Sequence, residues 1–103
     1  KNMSEEEQTK DIIAEIRADA KRSIERLKDR IAEVNEEALL VDGHDNALAG
    51  YDIQGRAIYL VENILETLTE RDGMTREEAI EFFDFNIAGA YVGEYTPIYI
   101  YKE

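Results

Sequence analysis

The sequence predicts an α+β fold in which a long N-terminal helix precedes β-β-α-α-β, with a small, mainly antiparallel sheet. Three observations carry this expectation. Residues 5 to 38 contain no Gly or Pro and repeat apolar side chains at spacings of three and four. Two short β-type runs then flank a Gly-containing turn. Finally, two helical patterns with their own stop and start signals lead into a Pro-initiated strand.

In the first element, Ile13, Ile16, Ala20, Ile24, Leu27, Ile31, Val34 and Ala38 make one stripe of an amphipathic helix of about nine turns. Ser4 followed by Glu7 has the capping-box form, which places the helix start. Pairs such as Lys21 with Glu25 and Arg26 with Asp29 mix signs on the polar face, each worth a few tenths of a kcal/mol. From Ala20 onward the stripe is heptad-like, whereas Ile13, Ile16, Ala20 and Ile24 include a four-four stutter. Two placements satisfy such a stripe: the helix folds back on its own sheet, or part of it packs on another chain. Asp42 and Gly43 are expected to end this helix, with Gly43 at its left-handed C′ position, giving an N-terminal helical region over 1–41 and a small α+β region over 42–103, one domain overall.

Ala47 to Tyr51 and Ala57 to Leu60 read as a hairpin with Gly55 in its turn. Val61, Ile64, Leu65 and Leu68 fall at i, i+3, i+4 and i+7, and Gly73 stops the helix they define. Thr75 and Glu78 make a second capping box, opening a helix that runs to about Ala88. Pro97 opens the last strand, Ile98 to Tyr101, with Ile98 and Ile100 on one face and Tyr99 and Tyr101 on the other. Gly89 and Gly93 serve the backbone between that helix and that strand; with no Lys and with Glu94 beside them, they do not form a phosphate loop.

A chain of 103 residues with 44% hydrophobic side chains supports a single modest core. It has no cysteine, which excludes disulfides, thiolate nucleophiles and Cys-ligated zinc and fits a reducing cytosol. No apolar run reaches membrane-spanning length, and the start of the sequence lacks signal-peptide order, so a cytoplasmic location is expected.

The net charge of −12 is unevenly spread. Residues 1–37 hold 11 acids and 8 bases, whereas residues 38–103 hold 13 acids and 4 bases. Phosphate neutralisation needs clustered Lys and Arg, so nucleic acid and anionic membranes are disfavoured as direct partners and basic proteins are favoured.

On the second helix Glu62, Glu66 and Glu70 form a row at i, i+4 spacing, and on the third Glu77, Glu81 and Asp84 gather on one flank with Glu78 near them. Carboxylates repeating about every 6 Å along a helix can imitate a phosphate strand to a basic protein. The plainer role of such a face is to solvate a small protein. Ile80, Phe83 and Ile87 share one face of the third helix, while Phe82 and Phe85 point nearly opposite. Either the first helix covers that second face, or Phe82 and Phe85 dock a partner or another copy.

The segment Asp42-Gly-His-Asp-Asn, with Asp52 nearby, lacks EF-hand order because Ala47 stands where Gly is required and no Glu follows at the twelfth place. Asp45 or Asn46 is expected to bond local backbone there. His44 is the sole histidine and reads as structural or superficial, without a metal partner or triad context. No catalytic residue, metal site or cofactor is expected.

Glu77, Glu78, Ala79, Glu81, Phe83, Phe85, Asn86, Gly89, Ala90, Gly93, Glu94, Thr96 and Pro97 follow the pattern EEAxExFxFNxxGAxxGExTPxF. In this the chain resembles a family of small, mostly uncharacterised bacteriophage-encoded proteins, over roughly residues 38 to 101. The resemblance implies a phage setting, hence the host-cell cytoplasm as the location, and brings no activity with it. The expected function is a non-enzymatic acidic accessory protein that binds and modulates a host protein, a nucleic-acid-handling or defence factor, through Glu62, Glu66, Glu70, Glu77, Glu81, Asp84, Phe82 and Phe85 or the exposed tyrosines. The alternative is an assembly module that forms a homo-oligomer through the long helix and the aromatic face, with the acids serving solubility.

Overall fold

The computed structural model describes residues 4–90 and 92–102. Helix α1 (Glu5–Val34) is followed by a 3-10 turn (Asp45–Ala47), strands β1 (Leu48–Tyr51) and β2 (Ala57–Leu60), and helix α2 (Val61–Glu70). Helix α3 (Arg76–Phe82) then continues without a break as a π-helix (Phe83–Ala88), and strand β3 (Ile98–Ile100) closes the order. The architecture is α+β with a long N-terminal helix and a three-stranded sheet, ordered β1-β2-β3.

The sheet is mixed. Strands β1 and β2 form the expected antiparallel hairpin, with an irregularity between Leu48 and Gly50. Strand β3 joins β2 in parallel, pairing Tyr59 with Tyr99 and Leu60 with Ile100. A parallel neighbour requires a crossover, and the two helices between β2 and β3 supply it.

The hairpin turn is built around Asp52. Its carboxylate accepts from the backbone N–H groups of Gln54 and Arg56 at 2.9 and 2.8 Å and from the Arg56 guanidinium at 2.7 Å. Burial pushes the Asp52 carboxyl up, but those donors together hold it below the usual carboxylate range. Gly55 has a φ of +83°, and a Cβ there would lie 2.4 Å from the Asn35 Cβ. The hairpin tip is therefore pressed against the end of α1.

That contact accompanies an earlier stop than the periodicity implies. α1 ends at Val34, not near Ala38, because Asn35 leaves the helix with φ −153° and its side-chain oxygen accepts from the Glu37 N–H at 3.0 Å. An Asn that satisfies local backbone in this way competes with another helical turn. Gly43 has a φ of +82° but turns the linker, eight residues past Asn35. At the other end the Ser4 hydroxyl accepts from the Glu7 N–H at 3.2 Å, as a cap should. The ion pairs that form along α1 are Arg22 with Asp19 and Arg30 with Glu33.

The core lies at the junction of the sheet, α2, α3 and the last turns of α1. Val61, Ile64, Leu65 and Leu68 are all buried, together with Ile31, Tyr59, Ala79, Phe83 and Ile87. Tyr99 ties the two sides together, with Phe83 edge-on to it at 5.4 Å and Tyr59 at 6.2 Å. The inward side of β3 is thus its tyrosine. On α3 the buried ridge is Ala79, Phe83 and Ile87, and Ile80, placed by sequence on that face, is 39% exposed.

α1 projects from this core. Every residue from Ser4 to Ser23 is exposed, and the helix first becomes covered at Ile24, Leu27 and Ile31. No helix among the described residues is long and apolar enough to cross a membrane.

Candidate functional site: an acid-flanked aromatic groove

Thr75 starts α3 as the sequence implies. Its hydroxyl accepts from the Glu78 N–H at 3.1 Å while the Glu78 carboxylate accepts from the Thr75 N–H at 2.9 Å, completing a capping box. The bond from the Thr75 backbone holds the Glu78 carboxyl below its ordinary range, so it stays ionised. This start fixes the helical phase. With Ala79 and Phe83 turned into the core, Phe82 and Phe85 face outward.

The change to π geometry at Phe83 widens the last turn, and Gly89 closes it. A Cβ on Gly89 would meet the Asp84 carbonyl oxygen at 2.6 Å, so only a glycine fits against the widened turn. Here it is close approach, not a left-handed φ, that demands the glycine.

Phe82, Phe85, Met74, Glu78, Glu81 and Asn86 line a groove of about 320 Å³. Phe85 is 74% exposed and Phe82 38%. α1 does not cover this face. The groove combines two aromatic rings and a thioether with two carboxylates, an arrangement that takes an apolar side chain flanked by a cation.

Of the eight residues singled out by sequence, the groove brings together Glu81, Phe82 and Phe85. Glu66, Glu70, Glu77 and Asp84 are exposed and do not line it. Glu62 departs from the expected row. Arg76 donates to both its carboxylate oxygens at 2.9 and 3.0 Å, and this bond holds the Glu62 carboxyl below its ordinary range. Its charge is matched locally and adds little to an acidic field. The sequence does not single out Met74 or Asn86 as site residues, although Asn86 belongs to the family pattern. The outward phase of Asn86, four residues beyond Phe82, was the signal available for it.

The tyrosines contribute less than the phenylalanines. Tyr59 is buried, Tyr51, Tyr95 and Tyr99 are partly covered, Tyr101 is 69% exposed, and Tyr91 lies outside the described residues.

The segment before β1 is a tied connection. Lys28 on α1 donates to Asp45 at 3.0 Å, and Asn46 donates to the Thr67 hydroxyl at 2.9 Å, so both bond distant side chains in place of local backbone. Arg71 donates to the Gly43 carbonyl at 2.7 Å and pairs with Asp72. His44 is buried beneath them, 4% exposed, with no partner for its Nδ1. Burial pushes the His44 pKa down, and the Arg71 charge adds to this. Among the described residues, no group of three or more His, Asp or Glu side chains is placed to hold a metal ion.

Comparisons with protein-family models, with curated proteins and with solved structures returned no match.

Proposed function

We propose that this chain is a non-enzymatic, acidic accessory protein that acts by binding another protein, and that the groove between Met74, Phe82 and Phe85 is where it binds. The observation that carries this reading is the exposure of Phe85 beside Glu81 and Glu78 in an open, shallow groove. A solvated face needs carboxylates and gains nothing from two uncovered aromatic rings; a docking surface uses both.

The partner best matched is a host protein with a basic surface that also offers an apolar side chain. The phage setting comes from the family resemblance, and a nucleic-acid-handling or defence factor is the class of host protein whose basic groove accepts such a face. Glu66, Glu70, Glu77, Glu81 and Asp84 supply the field in this reading, and Glu62 is set aside because Arg76 neutralises it. Binding weakens as salt rises.

Reversing Glu66, Glu70 and Glu81 to Lys tests the electrostatic part. The reading requires capture of the partner from host lysate to fall sharply. Undiminished capture would show that the acids only solubilise.

One further observation favours an assembly role as the alternative to this one, since both would occupy the Phe82–Phe85 face. The projecting half of α1 leaves Ile12, Ile13 and Ile16 at 56%, 42% and 61% exposed, more apolar helix than a monomer has reason to uncover. In that second reading the chain forms a homo-oligomer through α1 and the aromatic face. Light scattering on the intact chain distinguishes a monomer from an assembly.

A further inference from the structure

We propose that the exposed half of α1 from one copy docks in the Phe82–Phe85 groove of a second copy, reciprocally, to form a twofold dimer. This rests on the assembly reading, in which α1 of a second copy and not a host protein fills the groove, and specifies its interface.

Two apolar surfaces are left uncovered in the same chain, and one edge of the first carries the charge opposite to that of the second. On α1 the stripe Ile13, Ile16 and Ala20 is bordered along one flank by Lys10, Arg17 and Lys21, which recur at i, i+7 and i+11. At 3.6 residues per turn, Glu15 and Asp19 fall on the opposite flank. None of those three bases is ion-paired among the described residues. The groove presents Glu78 and Glu81 beside its rings. A basic-edged apolar helix and an acid-edged aromatic groove are complementary in both respects.

Shape supports the same pairing. Ala20, between Ile16 and Ile24, leaves a notch in the stripe, and Phe85 is the ring that stands out furthest from the groove. Reach excludes the chain's own helix as occupant, since α1 has no Gly or Pro to fold on and leaves the groove open. The uncovered stretch from Ser4 to Ser23 extends about 30 Å at 1.5 Å per residue, comparable with the chain's two shorter dimensions of 36 and 24 Å. Because each copy offers one helix and one groove, a twofold arrangement satisfies both and closes.

Sedimentation velocity and light scattering across micromolar concentrations test this with Ile16→Asp and Phe85→Asp. Both sites are largely exposed in the single chain, so both variants should keep the wild-type circular dichroism spectrum. The wild type is expected to be a dimer, and each variant to weaken its dissociation constant at least about tenfold. An Arg17→Glu/Lys21→Glu variant and a Glu81→Lys variant should each be monomeric alone and form a heterodimer when mixed. Should Phe85→Asp remain dimeric while Ile16→Asp does not, α1 pairs with α1, so the assembly reading survives and this interface does not. A monomeric wild type overturns both, and a mixture that stays monomeric overturns the pairing of the charged rims.

Discussion

The Val41 backbone N–H donates to the Tyr59 phenolic oxygen at 2.8 Å, fastening the segment after α1 to a fully buried residue of the central strand. Burial pushes the Tyr59 pKa up, so the phenol is neutral at any physiological pH. Tyr59→Phe keeps the ring and removes the acceptor. It should cost about 1 to 2 kcal/mol in denaturant unfolding, because a partly buried N–H loses its partner. An unchanged midpoint would mean that water takes the place of the phenol.

Two glycines hold the fold together by close approach. Gly55→Ala must push against the Asn35 Cβ from a left-handed backbone, and Gly89→Ala must push against the Asp84 carbonyl. Each should lower stability by about 1 to 3 kcal/mol. The consequences should differ: Gly55→Ala loosens the seat of α1, while Gly89→Ala disturbs the π turn beside Phe85. Backbone amide exchange separates the two, with the first accelerating exchange near residues 31 to 35 and the second near residues 83 to 89.

His44 sets the first acid limit of stability. Its folded pKa is lowered by burial, so the unfolded chain binds the proton more readily. Stability is therefore whole above the ordinary histidine pKa of about 6.5 and declines as pH falls below it. The carboxylates of Glu62, Asp72 and Glu78, whose pKa values are also lowered, contribute stability above the ordinary carboxylate range and lose it only at lower pH. Melting curves of the wild type should fall between neutrality and mildly acid pH, and those of His44→Gln should stay flat over that window. Parallel curves would remove His44 as the cause.

Arg76→Ala frees a charge without touching the core. Both Arg76 and Glu62 are more than half exposed, so the fold should survive with little change. The Glu62 carboxyl should return to its ordinary titration range, which NMR titration reads directly. In the proposed function, binding to a basic partner then strengthens, since Glu62 joins Glu66 and Glu70 in an unneutralised row.

Local chemistry was readable in the chain, and long-range pairing was not. The i, i+3, i+4, i+7 pattern of Val61, Ile64, Leu65 and Leu68 located α2 and its buried face, and the Thr75 capping box located the start of α3. Both signals are contained within a few residues. The end of α1 is not legible locally because Asn35 leaves the helix through an extended backbone open to any residue, held by its side chain together with a hairpin tip twenty residues later. The Glu62 ion pair joins residues fourteen apart on different helices, and the parallel addition of β3 depends on how those helices cross. Phe82 and Phe85 were legible as an outward pair from helical phase. Whether α1 would cover them was a question of packing direction, which no local pattern encodes.

The proposed function requires the Phe82–Phe85 groove to be a protein-binding surface. The most direct measurement is affinity capture from host lysate with the intact chain and with a Phe82→Ser/Phe85→Ser variant, quantified by mass spectrometry against matched circular dichroism spectra. The account predicts a partner enriched by the wild type, released by salt and absent from the variant. Equal recovery of the same proteins by both chains would contradict it.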